Sequence, residues 1–224
     1  MKTKKRKQTY KQVNQYDKII KENFKAVMPS LIDNVLNIKM VKQEDIPTKL
    51  QHTKEREADF LKVVTDEDDI RFILHIEFQL VKDAKMRLRM LEYYLMLRMI
   101  YPDLRILQYV IFIGEVPNNF QNEIREERLY FTFDVVNIRE VSYQHFLKSN
   151  IPEEIIFSIL GDFGNENTDK VVETIIKSIK NNSKTQLQQQ KCFQQLRILS
   201  NLRNFVPLNR KNYGEYCIVY KGRK

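Results

Sequence analysis

Residues 71–80 alternate without a break. Phe72, Leu74, Ile76, Phe78 and Leu80 fall on one side of an extended chain, and Ile73, His75, Glu77 and Gln79 on the other. This is the clearest strand signal in the sequence. Two further extended segments precede it, at 48–53 and 58–65, and the apolar run 106–113, ending in Gly114, has the length of a buried strand. Residues 129–135 read as one more. Helical spacing over 15–28 puts Tyr16, Ile19, Ile20, Phe24 and Val27 on one face. Pro29 breaks or restarts that helix, and 31–38 reads as a second helical piece. Asp83 can cap a helix that runs to about Tyr101, where Pro102 stops it, with Met86, Met90 and Leu97 as its core stripe. Beyond 136 the pattern is helical at 153–160, 168–180 and 186–202, the last two as a hairpin. Residues 216–220 read as a closing strand. Helix, three strands, long helix, strand and then helices predict an α/β core with a mostly helical C-terminal extension. The expected divisions are a basic flexible tail at 1–11, a core at 12–136 and the extension, packed on it, at 137–224.

Charge changes this picture at the ends. The 224 residues carry a formal +9, with a pI near 9.4, which favours a polyanionic partner. Residues 1–11 hold Lys and Arg but no acid, and 210–224 are also basic. Such a tail reads either as a solubilising arm or as an electrostatic handle for nucleic acid. Cys192 and Cys217 are far apart and lack metal-site spacing, so they are expected as reduced thiols of a cytoplasmic protein. No apolar stretch follows the basic start, and none is long enough to cross a bilayer, so neither a secretion signal nor a membrane span is expected.

The five glycines form no phosphate-cradling loop, there is no Gly-x-Ser-x-Gly elbow, and His52, His75 and His145 have no HExxH context. Carboxylates remain. If 58–65 and 71–80 pair as a hairpin closed by the three-residue loop 67–69, Asp59 falls opposite Glu77, with Cβ atoms about 4.5–5.5 Å apart. A four-residue loop would pair Asp59 with Ile76 and send the acids to opposite faces. The odd loop therefore makes a two-carboxylate site for Mg²⁺ or Mn²⁺, hard cations that prefer oxygen ligands and keep water for chemistry. Gln79, on the same side as Glu77, can orient that water. Lys85, Arg89 and Tyr93 line one helix face at i, i+4 and i+8, where Lys85 and Arg89 form a phosphate clamp or a solvent-facing stripe over a packed aromatic. His75 reads as a hydrogen-bonding residue beside the site. Glu77 and Gln79 can also be read as lining a solvated strand face. The acidic turn Asp66-Glu-Asp-Asp69 reads as a solvated hairpin end.

Four segments resemble the PD-(D/E)XK nuclease superfamily, and more closely its recombination-promoting, transposase-associated group. They are Tyr16-Asp-Lys-Ile-Ile-Lys-Glu22-Asn-Phe24, Ala58-Asp59-Phe60-Leu61, His75-Ile-Glu77-Phe-Gln79 and Arg89-Met-Leu-Glu-Tyr93. They span about residues 12–115. The resemblance implies a restriction-endonuclease-like αβββαβ core, a mixed sheet flanked by helices. It implies Asp59 and Glu77 as metal ligands, Gln79 in the position of the motif's lysine and Glu22 as an auxiliary acid. Ala58 stands where the motif has proline, which does no chemistry. Glutamine for lysine is common in this group and points to slow or conditional catalysis.

The expected function is a metal-dependent DNA endonuclease serving recombination or transposition, with a homodimer if both strands are cut. A catalytically inactive DNA-binding or interaction module that keeps the fold is the rival expectation, and an RNase is a third.

Overall fold

The alternation at 71–80 forms the central strand of an open, mixed five-stranded sheet in the computed structural model of the chain. The structure describes residues 15–203 except 17, 21, 24, 25, 47, 48, 52–54, 82 and 115–119. It also describes the backbone of Phe205–Pro207 and Ile218–Tyr220, and at 49–51, 55 and 56 the backbone alone. The expected tail at 1–11, His52 and Cys217 lie outside these residues.

The strands are β1 (Met40–Asp45), β2 (Lys49–Gln51), β3 (Glu55–Glu57), β4 (Phe60–Asp66), β5 (Arg71–Gln79), β6 (Arg105–Phe112), β7 (Glu123–Glu126), β8 (Leu129–Thr132), β9 (Asp134–Asn137), β10 (Phe205–Pro207) and β11 (Ile218–Tyr220). The main sheet has the order β1-β4-β5-β6-β9, antiparallel from β1 to β5 and parallel from β5 to β9. Three small antiparallel pairs, β2–β3, β7–β8 and β10–β11, stand apart from it.

Two expectations about strands change. Residues 48–53 supply β2 of a small hairpin, and the remaining antiparallel strand of the sheet is β1. Its sequence gave no alternation because it is an edge strand, exposed at every residue after Met40 and charged as sheet edges commonly are. The expected strand 129–135 divides at Phe133 into β8, paired with β7, and β9, which joins the main sheet beside β6.

The β4–β5 hairpin closes through 67–69. Asp66 N–H donates to Ile70 O at 3.1 Å, and Asp66 Oδ1 accepts from Asp68 N and Ile70 N at 3.1 and 2.9 Å. Asp69 takes the left-handed conformation (φ 61°) that ends a three-residue loop and that aspartate tolerates. The resulting register, Phe60↔Ile76 through Thr65↔Arg71, is the one the odd-length loop requires.

The helices are α1, described at 15–16, 18–20, 22–23 and 26–30, then α2 (Met86–Ile100), α3 (Gln144–Leu147), α4 (Pro152–Ile155), α5 (Thr168–Asn182) and α6 (Gln186–Ser200). Pro29 does not interrupt α1, which continues into a π-turn at Leu31–Val35. Asp83 shapes the entry to α2, accepting from Lys85 N at 2.8 Å, and the helix itself begins at Met86. The helix expected over 153–160 is α4 followed by a 3₁₀ segment, Ile156–Leu160, that is buried throughout. Asn167 and Thr185 cap α5 and α6 through their side-chain oxygens.

The chain groups into two compact units. One is Ile32–Ile138, and the other joins the segment up to Leu31 to the segment from Arg139 onward. The helix carrying Glu22 therefore groups with the C-terminal helices. In the strand-bearing unit, α2 covers the sheet face that carries Leu61, Val63 and Ile73 through Tyr93 and Leu97, and meets Val110 and Phe112 through Met86 and Met90. Gly114 follows β6 where an added Cβ would sit 2.2 Å from the Leu80 carbonyl oxygen, so only glycine lets these backbones approach. In the helical unit the core includes Phe146, Phe157, Ile175, Ile179, Cys192 and Leu196. Among the described residues no helix is long and apolar enough to cross a membrane.

Gly114→Ala is expected to lower unfolding free energy by about 1–3 kcal/mol in urea titrations, because the atom in the way is backbone. Burial, aided by the charge of Glu153, pushes the Cys192 thiol up to about 12 against the opposing effect of Lys191. In a Cys217→Ser background, Cys192 should therefore resist a disulfide reagent at pH 8 until the protein is unfolded. The neutral thiol's contribution to stability is complete below the free-thiol value of 9.0 and is lost as pH rises from there toward about 12.

Candidate metal centre and its hydrogen-bond network

The ladder between β4 and β5 ends at Phe60↔Ile76. Alternation of bonded pairs would next turn the Phe78 N–H toward residue 58. Instead the chain bends at Asp59, whose Oδ2 accepts from Phe78 N at 3.0 Å. The Asp59 carboxylate takes the place of a ladder carbonyl, beside the residue that follows Glu77. Asp59 is half-buried, and Glu77 is 5% exposed.

Glu77 belongs to the face of β5 that α2 covers, with both oxygens engaged. Oε1 lies 3.2 Å from His75 Nε2, and Oε2 lies 3.4 Å from Arg89 Nη2. A buried carboxylate needs such partners, because an uncompensated charge there costs several kcal/mol. Arg89 Nη2 also donates to Gln79 Oε1 at 3.3 Å, and Nη1 reaches Asp83 Oδ2 at 3.6 Å. Gln79 Nε2 donates to Val81 O. Arg89 thus links Glu77 to Gln79.

Two further groups complete the surroundings. Tyr93, 1% exposed, donates to Glu57 O at 2.7 Å, and its ring lies 4.4 Å from the His75 ring. Burial raises the Tyr93 pKa above the ordinary phenol value; the negative charges of Glu77 and Asp59 push the same way against Arg89. Both carboxylates therefore act on one hydroxyl. Gln108, on β6, donates to His75 Nδ1 at 2.9 Å and to Met90 O at 3.0 Å.

The stripe expected on α2 runs from solvent to core. Lys85 is exposed, Arg89 has 24% of its side chain exposed, and Tyr93 is buried. Glu22 accepts from Gln195 Nε2 at 3.1 Å and lies 3.4 Å from Lys191 Nζ, both within its own unit. Gln108 and the Glu57 carbonyl escaped the sequence reading. Gln108 stands in an apolar run, and an amide interrupting such a run was the one available signal.

Among the described residues no three His, Cys, Asp or Glu side chains cluster as a metal site. The donors that a cation would find are the oxygens of Asp59 and Glu77. Glu77 is met within the protein by His75, Arg89 and the Tyr93 hydroxyl. Carboxylate oxygens are the donor type that suits a hard cation keeping most of its water, such as Mg²⁺. His75 turns Nε2 toward Glu77, so its part is to support that carboxylate.

Arg89→Met is expected to destabilise by about 2–4 kcal/mol, since it strands the Glu77 charge, with the loss moderated by partial exposure of Arg89 and by His75. Arg89→Met combined with Glu77→Gln should recover most of it, and a double-mutant cycle in urea measures the coupling. Additive losses would show that the pair carries no coupling.

Comparison with protein-family models, with curated proteins and with solved structures returned no match.

Proposed function

We propose that this protein is a metal-dependent endonuclease that hydrolyses DNA phosphodiester bonds at Asp59 and Glu77. The observation that carries this reading is the hairpin register, which brings Asp59 to the backbone of Phe78 beside Glu77. Support also comes from the element order, a helix, the antiparallel strands β1, β4 and β5, then α2 and the parallel β6. That order agrees with the restriction-endonuclease-like core implied by the resemblance at Asp59, Glu77, Gln79 and Arg89.

Asp59 and Glu77 would hold Mg²⁺ or Mn²⁺, which when bound supplies Lewis acidity at a phosphate and lowers the pKa of a coordinated water. The chain's own groups do the remaining work. His75 and Arg89 fix the two oxygens of Glu77. Gln79, held by Arg89, stands where a water could be oriented. Lys85, exposed at the entry to α2, is the cation best placed to meet a phosphate, whereas Arg89 is already paired with Glu77. Glu22 is assigned no step, because its described partners are Gln195 and Lys191. The basic ends add affinity that does not depend on sequence and falls with salt. Cleavage of both strands would call for two copies of the chain.

One observation favours the rival reading, a DNA-binding or interaction module that does not cut. The oxygens of Glu77 and the amide of Gln79 are already partnered by His75, Arg89 and Val81. Plasmid nicking separates the two. The purified protein should nick with Mg²⁺ or Mn²⁺ and stop with chelator. Asp59→Asn and Glu77→Gln should each lose about 100-fold or more, equivalent to about 2.7 kcal/mol of barrier. Equal nicking by all three proteins refutes the proposal, and DNA retention on a gel without nicking selects the rival. Nicking of RNA alone would move the substrate class.

A further inference from the structure

An amide buried on the inner face of a sheet needs partners, and those of Gln108 carry directional information. Gln108 is 6% exposed and pairs in register with His75 across the parallel β5–β6 ladder. Its Nε2 is 3.0 Å from the carbonyl oxygen of Met90 and 2.9 Å from His75 Nδ1. The atom facing Met90 must be the NH₂ group, because an amide oxygen there would oppose another acceptor. That group has two hydrogens. One goes to Met90 O, and the other goes to Nδ1, which is therefore an acceptor. The ring proton then resides on Nε2, 3.2 Å from Glu77 Oε1. A backbone carbonyl of α2 thus acts, through an amide on β6, on the same choice of nitrogen that Glu77 favours from the other side of the ring.

We propose that Gln108 is a positioning residue: it locks His75 as the Nε2–H tautomer, and through that donor it orients the Glu77 carboxylate for a divalent cation. The tautomer half stands on the hydrogen bonds alone, and the cation half rests on the nuclease reading above. Without Gln108 only the Glu77 carboxylate favours hydrogen on Nε2, and the preference for that tautomer weakens. In the Nδ1–H fraction the bare Nε2 lone pair faces Glu77 Oε1, and the carboxylate is left to Arg89 and Tyr93. Partners that orient a metal-ligating group typically contribute 10–100-fold in metal affinity. The Tyr93 ring packs against the imidazole at a tilt, with 4.4 Å between ring centroids.

Two substitutions test this. Gln108→Met keeps the volume and removes both donors. Gln108→Glu keeps the shape and replaces the NH₂ donor with an acceptor. Nitrogen NMR of the histidine rings, with His75→Gln identifying the His75 signals, reads the tautomer without any metal. Titration with Mn²⁺, followed by water proton relaxation, reads the cation site without any DNA. The wild type should show His75 as Nε2–H alone, Gln108→Met a mixture of tautomers, and Gln108→Glu hydrogen on Nδ1. Mn²⁺ affinity should fall about 10–100-fold in Gln108→Met while thermal unfolding stays cooperative. Nδ1–H His75 in the wild type overturns the proposal outright, even if neither variant folds. So does a Gln108→Met protein with the wild-type tautomer, or with unchanged Mn²⁺ affinity. A wild type that binds no Mn²⁺ removes the cation half together with the nuclease reading, and the NMR result still decides the tautomer half.

Discussion

A carboxylate facing the inside of a sheet must be met by donors from every element around it, and the strand-bearing unit is organised around that requirement at Glu77. β5 supplies His75 from two residues away, α2 supplies Arg89, and β6 supplies Gln108 to hold His75. Each arrives because a longer-range feature puts it there. The three-residue loop after Asp66 sets the parity of the β4–β5 ladder, and the crossover through α2 returns the chain parallel to β5, with Gln108 level with His75. A buried pair of this kind adds little net stability over an apolar replacement. A shift of one residue would leave a buried charge without its counter-charge, which is strongly destabilising.

The same network bears on how the site could work. Arg89 has one guanidinium and several carboxylate and amide partners, so its first role is to balance Glu77. Its Nε is buried without a hydrogen-bond partner among the described residues, so its donor capacity is not exhausted. Lys85, one turn earlier and exposed, has no such prior commitment to Glu77. Division of labour along one helix, from a solvent-facing cation to a charge-balancing arginine to a buried phenol, follows from the i, i+4, i+8 spacing. The two proposed readings differ only in whether Asp59 and Glu77 also take up a cation.

Much of this was legible in the sequence, for identifiable reasons. β5 announced itself because both of its faces have a consistent chemical character, and the loop parity followed from counting residues between Asp66 and Ile70. β1 was not legible: Val41, Lys42, Gln43, Glu44 and Asp45 are all exposed, so no buried face imposed a period on them. The division of 129–135 at Phe133 was also hidden, because β8 and β9 are each four residues long and adjacent in sequence while belonging to different sheets. Charge partners were the least legible. Spacing showed that Arg89 and Tyr93 share a helix face, but only the fold shows that Glu77 lies under that face. Gln108 belongs to the same class, since its role depends on a strand more than twenty residues away.

The grouping of the two ends of the chain has a consequence for synthesis. Ile32–Ile138 is continuous, so all of its strands and α2 have emerged once residue 138 leaves the ribosome. The other unit is complete only after its second part, from Arg139 onward, has followed. Domains tend to fold as units while the chain is still growing. The carboxylate-bearing unit can therefore form first, while the segment before it, including α1, waits for helices that do not yet exist. An apolar face carrying Ile19, Ile20 and Val27 would stay uncovered during that interval, and it is there that a nascent chain of this architecture would need shielding.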